Sequence, residues 1–245
     1  LALISSGTAA VVVGTHALFQ EGVEFDNLAL SITDEQHRFG VQQRLQLTRK
    51  GNAESYYPHQ LTMTATPIPR TLAMSMYAHL DYSVIDELPP GRKPITTVTI
   101  PEQRRSEVIE RINASCQQGA QAYWVCSLIE ESESLQSRAA SATYELLQQQ
   151  MPELNIGLLH GKMKSVEKEQ MMQAFIEKKI HVLVATTVIE VGVDVANASL
   201  MIIENAGRFG LAQLHQLRGR VGRGEKQSSC VLMYKNPLTN NAKKR

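Results

Sequence analysis

An α/β fold with mostly parallel sheets in two parts is what this sequence predicts, on three observations. Short apolar strands alternate with amphipathic helical stretches from residue 95 onward, and such alternation makes a parallel sheet covered by helices on both faces. A dense proline and glycine break interrupts the chain before that point. Ahead of the break, another strand runs into paired carboxylates, at the strand end where open α/β sheets place their ligand sites.

The chain begins Leu1-Ala2-Leu3-Ile4-Ser5-Ser6-Gly7, which has the form of a last helical turn with a glycine stop. Val11-Val12-Val13 is a short buried-strand candidate. It leads to Gly14, Thr15 and His16, where glycine permits close backbone approach and the Thr hydroxyl can cap a following helix and leave N–H groups for a phosphate oxygen. Plain capping explains the same residues.

Leu28 to Thr33 alternates like a strand and delivers Asp34-Glu35-Gln36-His37. Magnesium takes hard oxygen ligands and keeps several waters, so Asp34 suits an ion held through water and Glu35 suits activation of an attacking water. A solvated turn carries such a pair too. Gln60 to Met63 is the next strand, followed by Thr64-Ala65-Thr66-Pro67-Ile68-Pro69-Arg70-Thr71. The prolines hold that turn extended and suit a helix start, and the hydroxyls of Thr64 and Thr66 could report the state of an adjoining nucleotide site.

Leu88-Pro89-Pro90-Gly91-Arg92-Lys93-Pro94 cannot continue a helix or a strand. Residues 1–88 are therefore read as one domain, 89–94 as a hinge, 95–235 as a second domain and 236–245 as a tail. In the second domain, strands are expected at 95–100, 122–126, 156–159, 181–185, 200–203 and 230–234. Helical stripes run through Val108, Ile109, Ile112 and Cys116, through Leu135, Ala139, Ala142 and Leu146, and through Val166, Met171, Phe175 and Ile176.

Three loops of this domain concentrate chemistry. His160-Gly161-Lys162 sets a basic residue on a glycine turn. Gly157 to Met163 is not a phosphate loop, because three residues rather than four separate its glycines and Met163 stands where Ser or Thr is needed. Thr186 and Thr187 could bind a phosphate chain, with Asp194, beyond Gly192, on a ribose hydroxyl; a buried structural aspartate is the competing reading. Gln216-Leu217-Arg218-Gly219-Arg220-Val221-Gly222-Arg223-Gly224 is the most informative loop. Glycine weakens a helix by about 1 kcal/mol, and clustered arginines repel one another unless an anion sits among them. Arg220 and Arg223 could meet a γ-phosphate as fingers that neutralise charge in the transition state.

Composition excludes several alternatives. Twenty-five Lys and Arg against 24 Asp and Glu give a net charge of +1, so a nucleic-acid binder of this kind would act through local clusters. Cys116, Cys126 and Cys230 form no Cys-x-x-Cys pair, which argues for core thiols and against a zinc site. No apolar run approaches the roughly 20 residues that span a bilayer, and a cytoplasmic protein is expected.

Taken together, Asp-Glu-Gln-His, Thr-Ala-Thr-Pro and Gln-x-x-Gly-Arg-x-Gly-Arg, in that order and across a break, resemble superfamily 2 helicases with two RecA-like lobes. The runs 34–40, 63–73, 86–92 and 209–224 are similar to RecG-type DNA translocases, which remodel stalled replication forks and branch-migrate Holliday junctions. Transcription-repair coupling translocases share two of these runs; Gln36-His37 and Glu87 to Arg92 favour the RecG type. The resemblance implies ATP and Mg2+ as cofactors and branched double-stranded DNA as partner. It implies magnesium and water activation at Asp34 and Glu35, lobe coupling by Gln36, His37, Thr64 and Thr66, and nucleotide contacts by Gly192, Asp194, Gln216, Arg220 and Arg223. DNA contacts are implied for Gly14, Thr15, His16, Gly161, Thr186 and Thr187.

Departures from the family pattern set further expectations. The sequence holds no Gly-x-x-x-x-Gly-Lys-Thr, so the first lobe is expected to be truncated at its N-terminus; the family's wedge domain and C-terminal coupling motif are expected to be missing as well. The chain alone is accordingly expected to hydrolyse no ATP, and measurable DNA-stimulated hydrolysis by these 245 residues would refute that. Gly207 replaces an expected charged residue, and Thr33 is less apolar than the pattern. A nucleotide-independent DNA-binding or interaction module is the alternative function.

Overall fold

The computed structural model describes residues 1–35, 50, 57–64, 81–126, 133–186, 195–224 and 226–236, with the side chains of 133–136 outside that description. The chain divides into two compact units, Leu1–Leu80 and Asp81–Arg245, so the division falls upstream of the proline-rich stretch.

In the first unit, helix α1 (Ala2–Ser5) ends as the sequence suggests, with Gly7 in the left-handed region at φ 69°. Strands β1 (Leu30–Asp34) and β2 (His59–Met63) pair in parallel, Leu30 opposite His59 and Asp34 opposite Met63. Alternation locates β1, but its faces are the reverse of the usual pattern: Ser31 is buried while Leu30 and Ile32 are exposed. Val11-Val12-Val13 forms no strand, contrary to expectation. β-Propensity describes fit to a sheet that is already there, and among the described residues no strand pairs with this run, which leaves Val11 and Val13 exposed.

The second unit is built on six parallel strands. They are β3 (Thr96–Pro101), β4 (Gln121–Val125), β5 (Ile156–Leu159), β6 (Val182–Ala185), β7 (Ala198–Ile203) and β8 (Ser229–Tyr234), in the spatial order β3-β8-β7-β4-β6-β5. The helices are α2 (Arg105–Gln117), α3 (Glu133–Gln150), α4 (Ser165–Ile176) and α5 (Leu211–Arg218). Successive strand residues point to opposite faces, and each face has its own core. Tyr123, Val125, Leu183 and Ala185 pack with Phe175 of α4 and Leu217 of α5. Ala122, Trp124, Val182 and Val184 pack with Val108, Ile109, Ile112 and Cys116 of α2 and with Ala140 and Leu147 of α3. Central strands buried on both faces explain why residues 122–125 of β4 and all of β6 read as unbroken apolar runs rather than alternations.

One helical stripe differs from its expectation. Ala140, Thr143 and Leu147 of α3 are buried, whereas Ala142 and Leu146 are exposed. The two sets share the same 3,4 spacing one residue apart, and the polar label on Thr143 steers periodicity to the wrong one. The stripe on α2 is buried as expected. On α4, Phe175 is fully buried while Val166 and Ile176 are exposed.

From β4 the chain moves outward to β5 and returns through β6, then crosses to the other side for β7 and β8. The reversal lies between β4 and β7, so their carboxyl ends flank the crevice where such sheets place chemistry.

Candidate functional site

Parallel pairing assembles the site of the first unit. Because Asp34 ends β1 opposite Met63 at the end of β2, the residues that follow both strands emerge side by side. Glu35 takes a left-handed φ of 52°, which is costly for a non-glycine residue and must be held by its surroundings. Its N–H donates to the Met63 carbonyl at 2.9 Å, and the Thr64 hydroxyl donates to Glu35 Oε2 at 3.3 Å. Asp34 is exposed beside them. The structure thus brings Glu35 and Thr64 together across 29 positions of sequence. The donors at this strand end are all oxygens, the set that suits magnesium. Gln36, His37 and Thr66 lie outside the described residues.

Thr15 caps a 3-10 turn, His16–Phe19, accepting from the Ala17 N–H at 3.5 Å. A Cβ at Gly14 would lie 2.8 Å from the Leu18 side chain. Gly14, Thr15 and His16 are all exposed.

In the second unit, β5 and β6 end together with Leu159 opposite Ala185, which places Gly161 and Thr186 on neighbouring loops. Thr186 donates its N–H to the Leu159 carbonyl at 3.2 Å, and Lys168 Nζ donates to the Gly161 carbonyl at 2.7 Å. Gly161 is exposed; Thr186 is 2% exposed, so it offers its surroundings little beyond backbone. Thr187, Gly192 and Asp194 are outside the described residues.

The arginine loop begins where α5 stops. Gln216 is half-buried on the helix, and Arg220 and Arg223 follow on a loop built around buried Val221. Gly222 is left-handed at φ 77°, and Gly224 approaches so closely that a Cβ there would meet the Ala196 carbonyl oxygen. The glycines therefore serve the backbone path and the arginines are what the path presents. Arg223 is exposed, and its Nε donates to the Gly219 carbonyl at 3.2 Å. Arg218 pairs with His215 at 3.3 Å instead.

Sequence reasoning missed a partly buried cluster at the carboxyl ends of β4 and β7. Glu204 accepts from Trp124 Nε1 at 2.7 Å and pairs with Arg105 at 2.5 Å, and the Arg105 guanidinium lies 5.3 Å from the Trp124 ring centroid. Burial pushes the Glu204 carboxyl above its ordinary value; the Arg105 charge and the Trp124 N–H pull it back only in part. The signal available in sequence was a charged residue closing the apolar run Leu200-Met201-Ile202-Ile203. Glu204→Ala is expected to cost about 2–3 kcal/mol in urea unfolding, below the roughly 3–5 kcal/mol of a fully buried pair because the Arg105 side chain keeps 24% exposure. Because the folded carboxyl is raised, the native state holds the extra proton, so the titration of Glu204 adds stability at low pH. That contribution is lost as pH rises above the ordinary carboxylate value through the folded one, and Glu204→Gln should flatten this slope.

The three cysteines are free and buried, as the sequence suggests. Burial pushes Cys116 up to about 11, and Cys126 and Cys230 up to about 12. Folded protein at pH 8 should take up a thiol reagent at these positions only after denaturant is added, as mass spectrometry would read.

The second unit, with its doubly covered parallel sheet and an arginine loop beyond the helix before β8, defines a RecA-like helicase lobe. The chain belongs to the family of the helicase conserved C-terminal domain, whose family model matches residues 99–225. Likeness to RecG-type helicases extends across both units. The chain is 64% identical over 240 residues to the ATP-dependent DNA helicase RecG of Escherichia coli K12, covering 98% of this chain and 35% of the relative. It is 65% identical over 243 residues to that of Pasteurella multocida, covering 99% and 35%. A solved structure of RecG bound to a three-way DNA junction overlays with a TM-score of 0.74 at 44% identity, covering 100% of this chain and 31% of that one. The Mycobacterium smegmatis helicase Lhr shares the fold, with a TM-score of 0.60 at 21% identity over 84% of this chain and 28% of that one. The chain spans about a third of the length of its RecG relatives. Among the described residues no helix is long and apolar enough to cross a membrane.

Proposed function

We propose that this chain supplies part of an ATP-driven translocase that moves on double-stranded DNA and remodels forks and Holliday junctions. The observation that carries the reading is the meeting of Glu35 and Thr64 at the ends of two parallel strands. A water-activating carboxylate bonded to a hydroxyl on the neighbouring strand end is a direct route from nucleotide state to the rest of the lobe. The relatives named ATP-dependent DNA helicase RecG and the neighbour bound to a three-way junction support ATP as fuel and branched DNA as substrate.

In this reading Asp34 would hold magnesium, which would supply neutralisation of charge on the triphosphate oxygens. Glu35 orients and deprotonates the attacking water. Arg220 and Arg223 steady the transferred phosphoryl group, with Gln216, Gly192 and Asp194 contacting the nucleotide. Gln36, His37 and Thr66 couple lobe movements, while Gly14, Thr15, His16, Gly161, Thr186 and Thr187 follow the DNA backbone. Residues 89–94 act as the hinge, and the protein works in the cytoplasm.

The test is ATP hydrolysis by the full-length protein with three-way junction, four-way junction and linear duplex of equal length. Greater stimulation by the branched substrates, with strand exchange in a labelled junction, is the expected result. Hydrolysis indifferent to all three DNAs would overturn the reading.

A further inference from the structure

The irregular run that leads from the first unit into β3 touches the arginine loop directly. Arg92, half-buried, donates from Nε to the carbonyl of Gly222 at 2.9 Å, joining positions 130 residues apart. Gly222 stands between Arg220 and Arg223 in the left-handed conformation, and Ile95 occupies the space beside it: a Cβ on Gly222 would lie 2.9 Å from the Ile95 side chain. Two further bonds fasten the same stretch to the residues after the loop. Gln227 Nε2 donates to the Pro94 carbonyl at 2.8 Å, and the Thr96 N–H donates to the Ser228 carbonyl at 3.0 Å. On its other side the loop rests on the Ala196 carbonyl at Gly224.

From these contacts we infer that Arg92 is a positioning residue for the arginine loop, fixing Gly222 so that the arginines on either side of it are presented in one geometry. The inference rests on the ATPase reading above. A left-handed glycine has two neighbouring basins open to it, and a single carbonyl bond from outside the loop selects between them. Because Arg92 follows Pro89-Pro90-Gly91, a change in the path of that run moves the donor and therefore the loop. The connecting segment thereby sets how well the arginines meet a phosphoryl group. Arg92 itself touches no reacting atom in this scheme.

The experiment compares Arg92→Ala, Arg92→Lys, Gln227→Ala and Arg92→Ala with Arg223→Ala in the full-length protein. Turnover with saturating junction DNA and amide exchange of the peptide spanning 219–224 are the readouts. Arg92→Ala should lower kcat about 10-fold to 100-fold, the scale of a misplacement near 1 Å, and speed exchange in that peptide. Arg92→Lys keeps charge and a donor and should recover part of both, and it reads the same quantities if the alanine variant loses cooperative melting. Gln227→Ala removes a neighbouring bond that does not touch Gly222 and should leave kcat near that of the parent. In the Arg223→Ala background the Arg92 substitution should add less than it costs in the parent, because one of the two arginines it positions is gone. A full additional loss there, or unchanged turnover and exchange in Arg92→Ala, overturns the inference alone. A parent protein that hydrolyses no ATP with DNA overturns the functional reading and this inference with it.

Discussion

Arg223→Ala is expected to lower DNA-stimulated ATP turnover of the full-length protein by about 10³-fold or more, the effect of removing a cation that meets the γ-phosphoryl group in its transition state. The loss should fall on kcat, with nucleotide affinity changed far less, because the interaction strengthens only as charge spreads onto the phosphoryl oxygens. Arg223 is exposed, and the bond from its Nε to the Gly219 carbonyl fixes the base of the guanidinium. Lysine should recover little, since it offers a flexible point charge in place of a planar fork. Removing an exposed side chain beyond a helix end should leave melting temperature nearly unchanged, which separates a catalytic loss from a folding one. A kcat within threefold of the parent would move the arginine out of the proposed site.

How far the site can be read from residues alone depends on the length scale of the interaction. The strand and helix order of the second unit was legible because parallel strands buried on both faces must be nearly all apolar, as β4 and β6 are. The arginine loop stood out because repelling charges sit among helix-weakening glycines, and the structure adds packing reasons for Gly222 and Gly224 that no local pattern shows. What stayed hidden was pairing across long separations. Nothing in the local pattern says that Arg105 meets Glu204 or that Arg92 meets Gly222, because sheet topology and not sequence proximity brings them together. The α3 stripe was misread for a different reason, a threonine buried where a hydroxyl counts as polar. Val11 to Val13 shows the limit of propensity: three β-branched residues make no strand without a partner.

Glu35→Gln is the second large effect expected, with turnover falling at least about 10²-fold while DNA affinity is retained. The substitution preserves size and an amide oxygen that can still accept from the Thr64 hydroxyl, so the contact at 3.3 Å survives and only the basicity is lost. The left-handed backbone at φ 52° also persists, since Gln is no more strained there than Glu. Thr64→Ala is the complementary probe. It leaves the carboxylate basic but without the Thr64 contact, so hydrolysis should persist at a reduced rate while the number of base pairs moved per ATP falls. Turnover equal to the parent in Glu35→Gln would remove Glu35 from the chemistry. Equal loss of hydrolysis and DNA affinity would instead mark the strand end as structural, because a catalytic base acts on water and has no reason to alter contacts with the DNA backbone.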